Sequence, residues 1–176
     1  MSDFINLWLH LLGLAAYFGA TLAVLLMVLP PAMAQPDPAV RRRQLAAALQ
    51  VYNPLVIAAL GVALMTGAFN LTSYKAALRG AFFTELGSLL VWKLGLAFVL
   101  IMLATYGAFG LGHRLVRFEQ WGEPVEADKE AAMIRRLRAT LLLALVLTAM
   151  ITALGLRLAP RGLPTPPPVQ PKQTSA

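Results

Sequence analysis

The chain has 176 residues, 59% of them hydrophobic and 13% charged, with a mean hydropathy of +0.68. A soluble domain is about a quarter charged and at most about half apolar, so this composition excludes one and describes a polytopic membrane protein. The absence of cysteine excludes disulfides, thiolate metal sites and iron–sulfur ligation, and the net charge of +7 reflects arginine beside apolar segments, with no nucleic-acid partner implied.

Residues 4–29 form the first predicted span, long enough to cross a hydrocarbon core of about 30 Å, and Pro30 and Pro31 are expected to close it. Ala32-Met33-Ala34 resembles a small-residue cleavage site. No Lys or Arg precedes the apolar run, Asp3 is acidic, and the run is too long for a signal-peptide core, so it reads as a retained helix. The second span is expected at about 47–71, the third at 88–112 and the fourth at 139–159. Alternating ten-residue segments are absent. The fold class is therefore all-α, a four-transmembrane-helix bundle over residues 1–159 in a lipid bilayer. Residues 160–176 hold six prolines and no core-forming pattern, which predicts an extended, disordered Pro-rich tail.

Nine Lys and Arg residues fall in the first and third loops: Arg41, Arg42, Arg43, Arg114, Arg117, Lys129, Arg135, Arg136 and Arg138. Five lie on the opposite side, at Lys75, Arg79, Arg157, Arg161 and Lys172. This bias places both loops in the cytoplasm and both termini outside. The acidic centre of the third loop (Glu119, Glu123, Glu126, Asp128, Glu130) predicts a solvated helical hairpin with intrahelical ion pairs.

Lipid gives helices no hydrophobic reason to meet, so small residues mark the expected contacts. They are Ala59, Ala63 and Gly67 on the second span, and Ala104, Ala108 and Gly112 on the third. The first span offers Ala15 with Gly19 and Ala16 with Ala20; the fourth offers Ala144, Thr148 and Thr152. Pro54 lacks an amide hydrogen, so a kink or a helix start capped by Asn53 is expected there.

His10 and Lys93 are the candidate functional residues. Each is ionisable inside an apolar span, where a charge costs roughly 2.5–3.5 kcal/mol on insertion scales. In the assigned topology both lie roughly 7–9 Å below the outer boundary, at 1.5 Å of rise per residue. Thr66, Asn70 and Thr152 reach the same half of the bundle, and Glu85 is placed to act as a lid or a partner for Lys93. A shared ligand follows, either a haem or a metal ion, with His10 as the metal ligand and Lys93 beside it. Plainer roles also fit: Lys93 snorkelling to headgroups, and His10 bonded to a neighbouring carbonyl or threonine. Trp8 and Trp92 read as an aromatic belt, and Met27, Met65, Met102 and Met150 form no clustered thioether site for copper(I). His113 is a full span from His10, cannot share its ligand, and reads as a helix-end histidine.

Trp8-Leu9-His10 followed by Tyr17-Phe18-Gly19 resembles the opening of CopD-domain and HemJ-like membrane proteins. Asn53-Pro54 with Gly61 and Gly67 is similar to the second helix of HemJ-like proteins, Val91-Trp92-Lys93-Leu94 to the start of the third helix in both groups, and Arg41-Arg42-Arg43 to their basic first loop. The resemblance covers about residues 4–157. It implies a multi-pass protein of the bacterial inner membrane that handles copper or haem b, with His10 and Lys93 as the cofactor-binding pair. Within it, CopD-like proteins imply copper homeostasis or resistance without catalysis. HemJ-like proteins imply a haem b-dependent protoporphyrinogen oxidase. The chain departs from the latter at Tyr106, which Gly107 follows where that family tends to have histidine. A non-catalytic subunit docking a membrane partner is the third reading, and a homodimer is expected because four such helices leave little room for a macrocycle.

Overall fold

Among the residues described by the computed structural model (2–78, 82–122 and 125–158), α-helices and two π-helical turns build four rods. Each rod is long and apolar enough to cross a membrane. The all-α, four-span reading therefore holds; the expected tail at 160–176 lies outside the described residues.

The first span does not stop at Pro30. Helix α1 (Ser2–Ala23) passes into a π-helical turn (Val24–Val28) and resumes as α2 (Leu29–Ala34). The Leu29 amide donates to the Val24 carbonyl, five residues back. Widening this turn relieves the clash that consecutive proline rings make with carbonyls one turn earlier, so the rod continues past both prolines. Pro30 then sits in the first turn of α2, where no amide hydrogen is required.

Helix α3 (Pro38–Leu78) starts earlier than expected and runs for 41 residues. Asp37 caps it: its Oδ1 accepts the Ala39 amide at 2.8 Å and its carbonyl accepts the Arg41 amide at 3.0 Å. Arg41, Arg42 and Arg43 are therefore helical and not in a loop. Pro54 lies inside α3, so the helix neither starts nor ends there and Asn53 caps nothing. The lost hydrogen bond at Pro54 is tolerated because the remaining turns and the neighbouring helices hold the rod together.

The third rod is α4 (Phe82–Thr105), a π-helical turn (Tyr106–Gly112) and α5 (His113–Gln120). It carries the helix beyond the predicted span end at 112, in keeping with the helical hairpin expected of the third loop. Gly122, at φ 62°, turns the chain after α5, with the Arg117 guanidinium 4.2 Å over the Trp121 ring. Helix α6 (Ala127–Leu158) returns with Asp128 and Glu130 in its first turn, where carboxylates oppose the helix dipole.

The buried core is concentrated toward the arginine-rich end. Leu29, Leu45, Leu49 and Leu137 are almost wholly enclosed there, continuing into Tyr17, Val56 and Leu141. From Gly87 to Thr105, by contrast, α4 buries only Leu100 and Ala104. The half of α4 nearer His10 thus leans on the bundle without being locked into it.

Two devices hold the rods. Gly13 brings α1 onto α3: a Cβ there would stand 2.9 Å from the Ala59 carbonyl oxygen and 3.1 Å from the Ala63 amide nitrogen. Ala59 and Ala63 are buried as expected, whereas Ala15 and Gly19 face outward. The close approach therefore uses a glycine outside the predicted stripes. The second device is ionic. Glu130 is 2% exposed and receives Arg41 Nε at 3.0 Å, with Arg42 Nε at 3.8 Å from its other oxygen. Arg43 lies 3.7 Å from Glu119. These pairs join α6 and α5 to α3, which corrects the expectation of a solvated hairpin held by intrahelical pairs. The covered position of α6 against α3 desolvates Glu130, and the basic start of α3 compensates it.

Gly13→Val is expected to lower stability by about 1–3 kcal/mol, the usual cost of overpacking a tight contact. Glu130→Ala should cost about 1.5–3 kcal/mol, the range for a hydrogen bond to a charged group, since Arg41 and Arg42 keep partial access to water. Thermal unfolding in mild detergent measures both; a Glu130→Ala protein that melts with the wild type would show that the clasp contributes nothing.

Candidate intramembrane polar site

The α1–α3 contact continues from Gly13 into a ladder of polar side chains. Asn6 and His10 are one turn apart on α1, and Thr66 and Asn70 are one turn apart on α3. Because the helices run in opposite directions, the two pairs meet. Asn6 Nδ2 donates to Asn70 Oδ1 at 2.7 Å and to the Thr66 carbonyl at 3.0 Å. His10 Nδ1 lies 2.8 Å from the Ala63 carbonyl and 3.2 Å from Thr66 Oγ1. A carbonyl can only accept, so Nδ1 carries a proton. Thr66 Oγ1 donates onward to the Val62 carbonyl at 2.6 Å, leaving its lone pairs for the imidazole. In the neutral ring, Nε2 is then the nitrogen with a free lone pair.

Gly67 makes room for this arrangement. A Cβ on it would stand 3.2 Å from His10 Cε1, so even alanine would press on the ring. Gly155 on α6 lies beside Lys93, whose Nζ would be in ordinary van der Waals contact, at 3.4 Å, with a Cβ placed there. Lys93 is half-buried, with its amine beside the α6 backbone. No hydrogen bond joins the two among the described residues. Both belong to one end of the bundle, His10 seated on α3 and Lys93 on α6.

Thr152 is exposed and bonds back to the Thr148 carbonyl at 2.8 Å, so it does not join the site. Thr148, one turn earlier, is the buried hydroxyl on that face and donates to the Ala144 carbonyl. The Glu85 side chain lies outside what is described. Asn6 was missed in the sequence, although its four-residue spacing from His10 mirrors that of Thr66 and Asn70. His113 is exposed but lies inside its rod, which continues to Gln120, so it is not the helix-end histidine expected; Trp8 and Trp92 are exposed as a belt requires.

A second polar contact lies deeper. Asn53 rests on Gly112, where a Cβ would come within 2.6 Å of Oδ1, and this oxygen is buried without a hydrogen-bond donor among the described residues. Gly112 ends the π-helical turn of the third rod, so the contact joins α3 to the point where that helix changes register. Beyond these contacts, no group of three or more His, Cys, Asp or Glu side chains converges among the described residues. A dent of about 330 Å³ lined by Phe4, Ile5, Trp8, Leu9 and Leu12 lies on the outward side of α1 and excludes His10.

The fold and these contacts define a four-helix, multi-pass membrane protein with a polar cluster at one end. No protein-family model, curated protein or solved structure matches the chain.

Replacing Asn6 by Leu should lower stability by about 0.5–2 kcal/mol, the range for interhelical hydrogen bonds in membranes. A double-mutant cycle with Asn70→Leu checks the pairing: additive losses would mean that the two amides do not support each other.

Proposed function

We propose that this chain is a haem-handling membrane protein of the CopD-like and HemJ-like type, with His10 ligating haem b through Nε2 and Lys93 as its cationic neighbour. The observation that supports it is the hydrogen bond from His10 Nδ1 to the Ala63 carbonyl at 2.8 Å. Ligating histidines almost always donate their other ring N–H to a carbonyl or carboxylate, which fixes the tautomer and strengthens the free nitrogen as a ligand. Haem iron needs one or two such axial donors from the protein. When bound, the haem would supply one-electron chemistry. The chain's own contribution is orientation and charge. Asn6, Thr66 and Asn70 brace the α1–α3 face that presents His10, and the Lys93 ammonium would neutralise haem carboxylates near the boundary. The sparse packing of α4 beside Lys93 lets that wall yield to a flat ligand.

Copper handling has less support. One histidine does not make an ion site, and the missing donors would have to come from a second copy or a partner subunit. Protoporphyrinogen oxidation has less support again, because Tyr106 is exposed and followed by Gly107. The location consistent with this reading is a bacterial inner membrane, with the His10 end facing outward.

Expression with a haem precursor, purification in mild detergent and absorption spectra before and after dithionite test the reading. A Soret band is expected in the wild type, lost in His10→Ala and retained with weaker haem retention in Lys93→Gln, while circular dichroism shows both variants folded. A colourless protein carrying stoichiometric copper would replace haem by copper. A colourless, copper-free protein would leave the polar ladder as interhelical glue in a docking subunit.

A further inference from the structure

At the arginine-rich end, a groove of about 370 Å³ runs between the first rod and α6. Leu25, Leu29 and Met33 form one wall and Leu142 the other, and Arg138 is its one charged lining residue. Arg138 is exposed and makes no ion pair among the described residues, unlike Arg41, Arg42 and Arg43. Leu142 lies one turn, about 6 Å, deeper in the bilayer than Arg138 along α6. Charge toward the headgroups and apolar wall toward the chains is the polarity of a phospholipid.

The broken helix adds an acceptor. In an α-helical register the Leu26 carbonyl would receive the amide of residue 30, and in a π-helical register that of residue 31. Both are proline, so neither register supplies a donor. Leu26 lines the same groove. A carbonyl left without a donor at membrane depth favours any ligand that brings one.

We propose that this groove binds an anionic glycerophospholipid from the arginine-rich leaflet. The planar guanidinium of Arg138 takes the phosphate in a two-pronged contact, which a lysine could not match. An acyl chain lies along Leu25, Leu26 and Leu142. Charge complementarity favours this occupant over a second copy of the chain, since that end is already dense with arginine and would repel itself. The site is separate from His10 and does not depend on what binds there.

The test is native mass spectrometry of the full chain in detergent, titrated with phosphatidylglycerol and, separately, with phosphatidylcholine of the same acyl chains. Phosphatidylglycerol should bind more tightly, and Arg138→Gln should weaken it about five- to tenfold, as one near-surface cation contributes about 1 kcal/mol or somewhat more. Leu142→Trp, which fills the groove without changing charge, should also weaken binding. Arg136→Gln, an exposed arginine outside the groove, should not. Equal losses in the Arg136 and Arg138 variants would overturn the proposal in favour of diffuse attraction. So would equal binding of the two lipids, or displacement by millimolar inorganic phosphate, which would indicate a site for small anions.

Discussion

A missing methyl group on α1 brings its backbone within contact of α3, and the polar chemistry of the bundle follows from that approach. A Cβ on Gly13 would press on the Ala59 carbonyl and the Ala63 amide, and the Ala63 carbonyl is the group that accepts the proton of His10 Nδ1. Were the helices held a side chain apart, the imidazole would reach no carbonyl, and Asn6 would not reach Asn70. The same principle recurs at Gly67 and Gly112, each of which seats one polar side chain from a neighbouring rod. In hydrocarbon, a donor without a partner is costly, and close backbone approach supplies partners without adding further polar groups.

The two ends of the bundle solve different problems. Near the arginine-rich end the helices are clasped by Glu130 with Arg41 and Arg42, above a well-filled apolar core. Toward His10 the packing loosens, α4 contributes few buried residues, and hydrogen bonds replace ionic ones.

Both π-helical turns mark places where a rod changes register without ending. The first absorbs Pro30 and Pro31, and the second closes at Gly112 against Asn53. In the first, Pro30 and Pro31 leave the Leu26 carbonyl without an amide donor in either register. That freedom coincides with the groove beside Arg138.

Composition and hydropathy alone determined the class: four long apolar segments, no alternation and no cysteine leave only a helical membrane bundle. The ionisable residues His10 and Lys93 stood out because charge is expensive at that depth, and Thr66 and Asn70 because their spacing repeats the helical turn. Tertiary structure decided the rest. Whether Pro30 or Pro54 ends a helix depends on what neighbouring turns and rods can absorb. Whether Glu130 is solvated depends on which helix lies over it. Whether Gly13 or Gly19 forms the contact depends on the rotation of α1 about its axis. Sequence periodicity specifies which residues share a face; only packing of one helix against another specifies which face is turned inward.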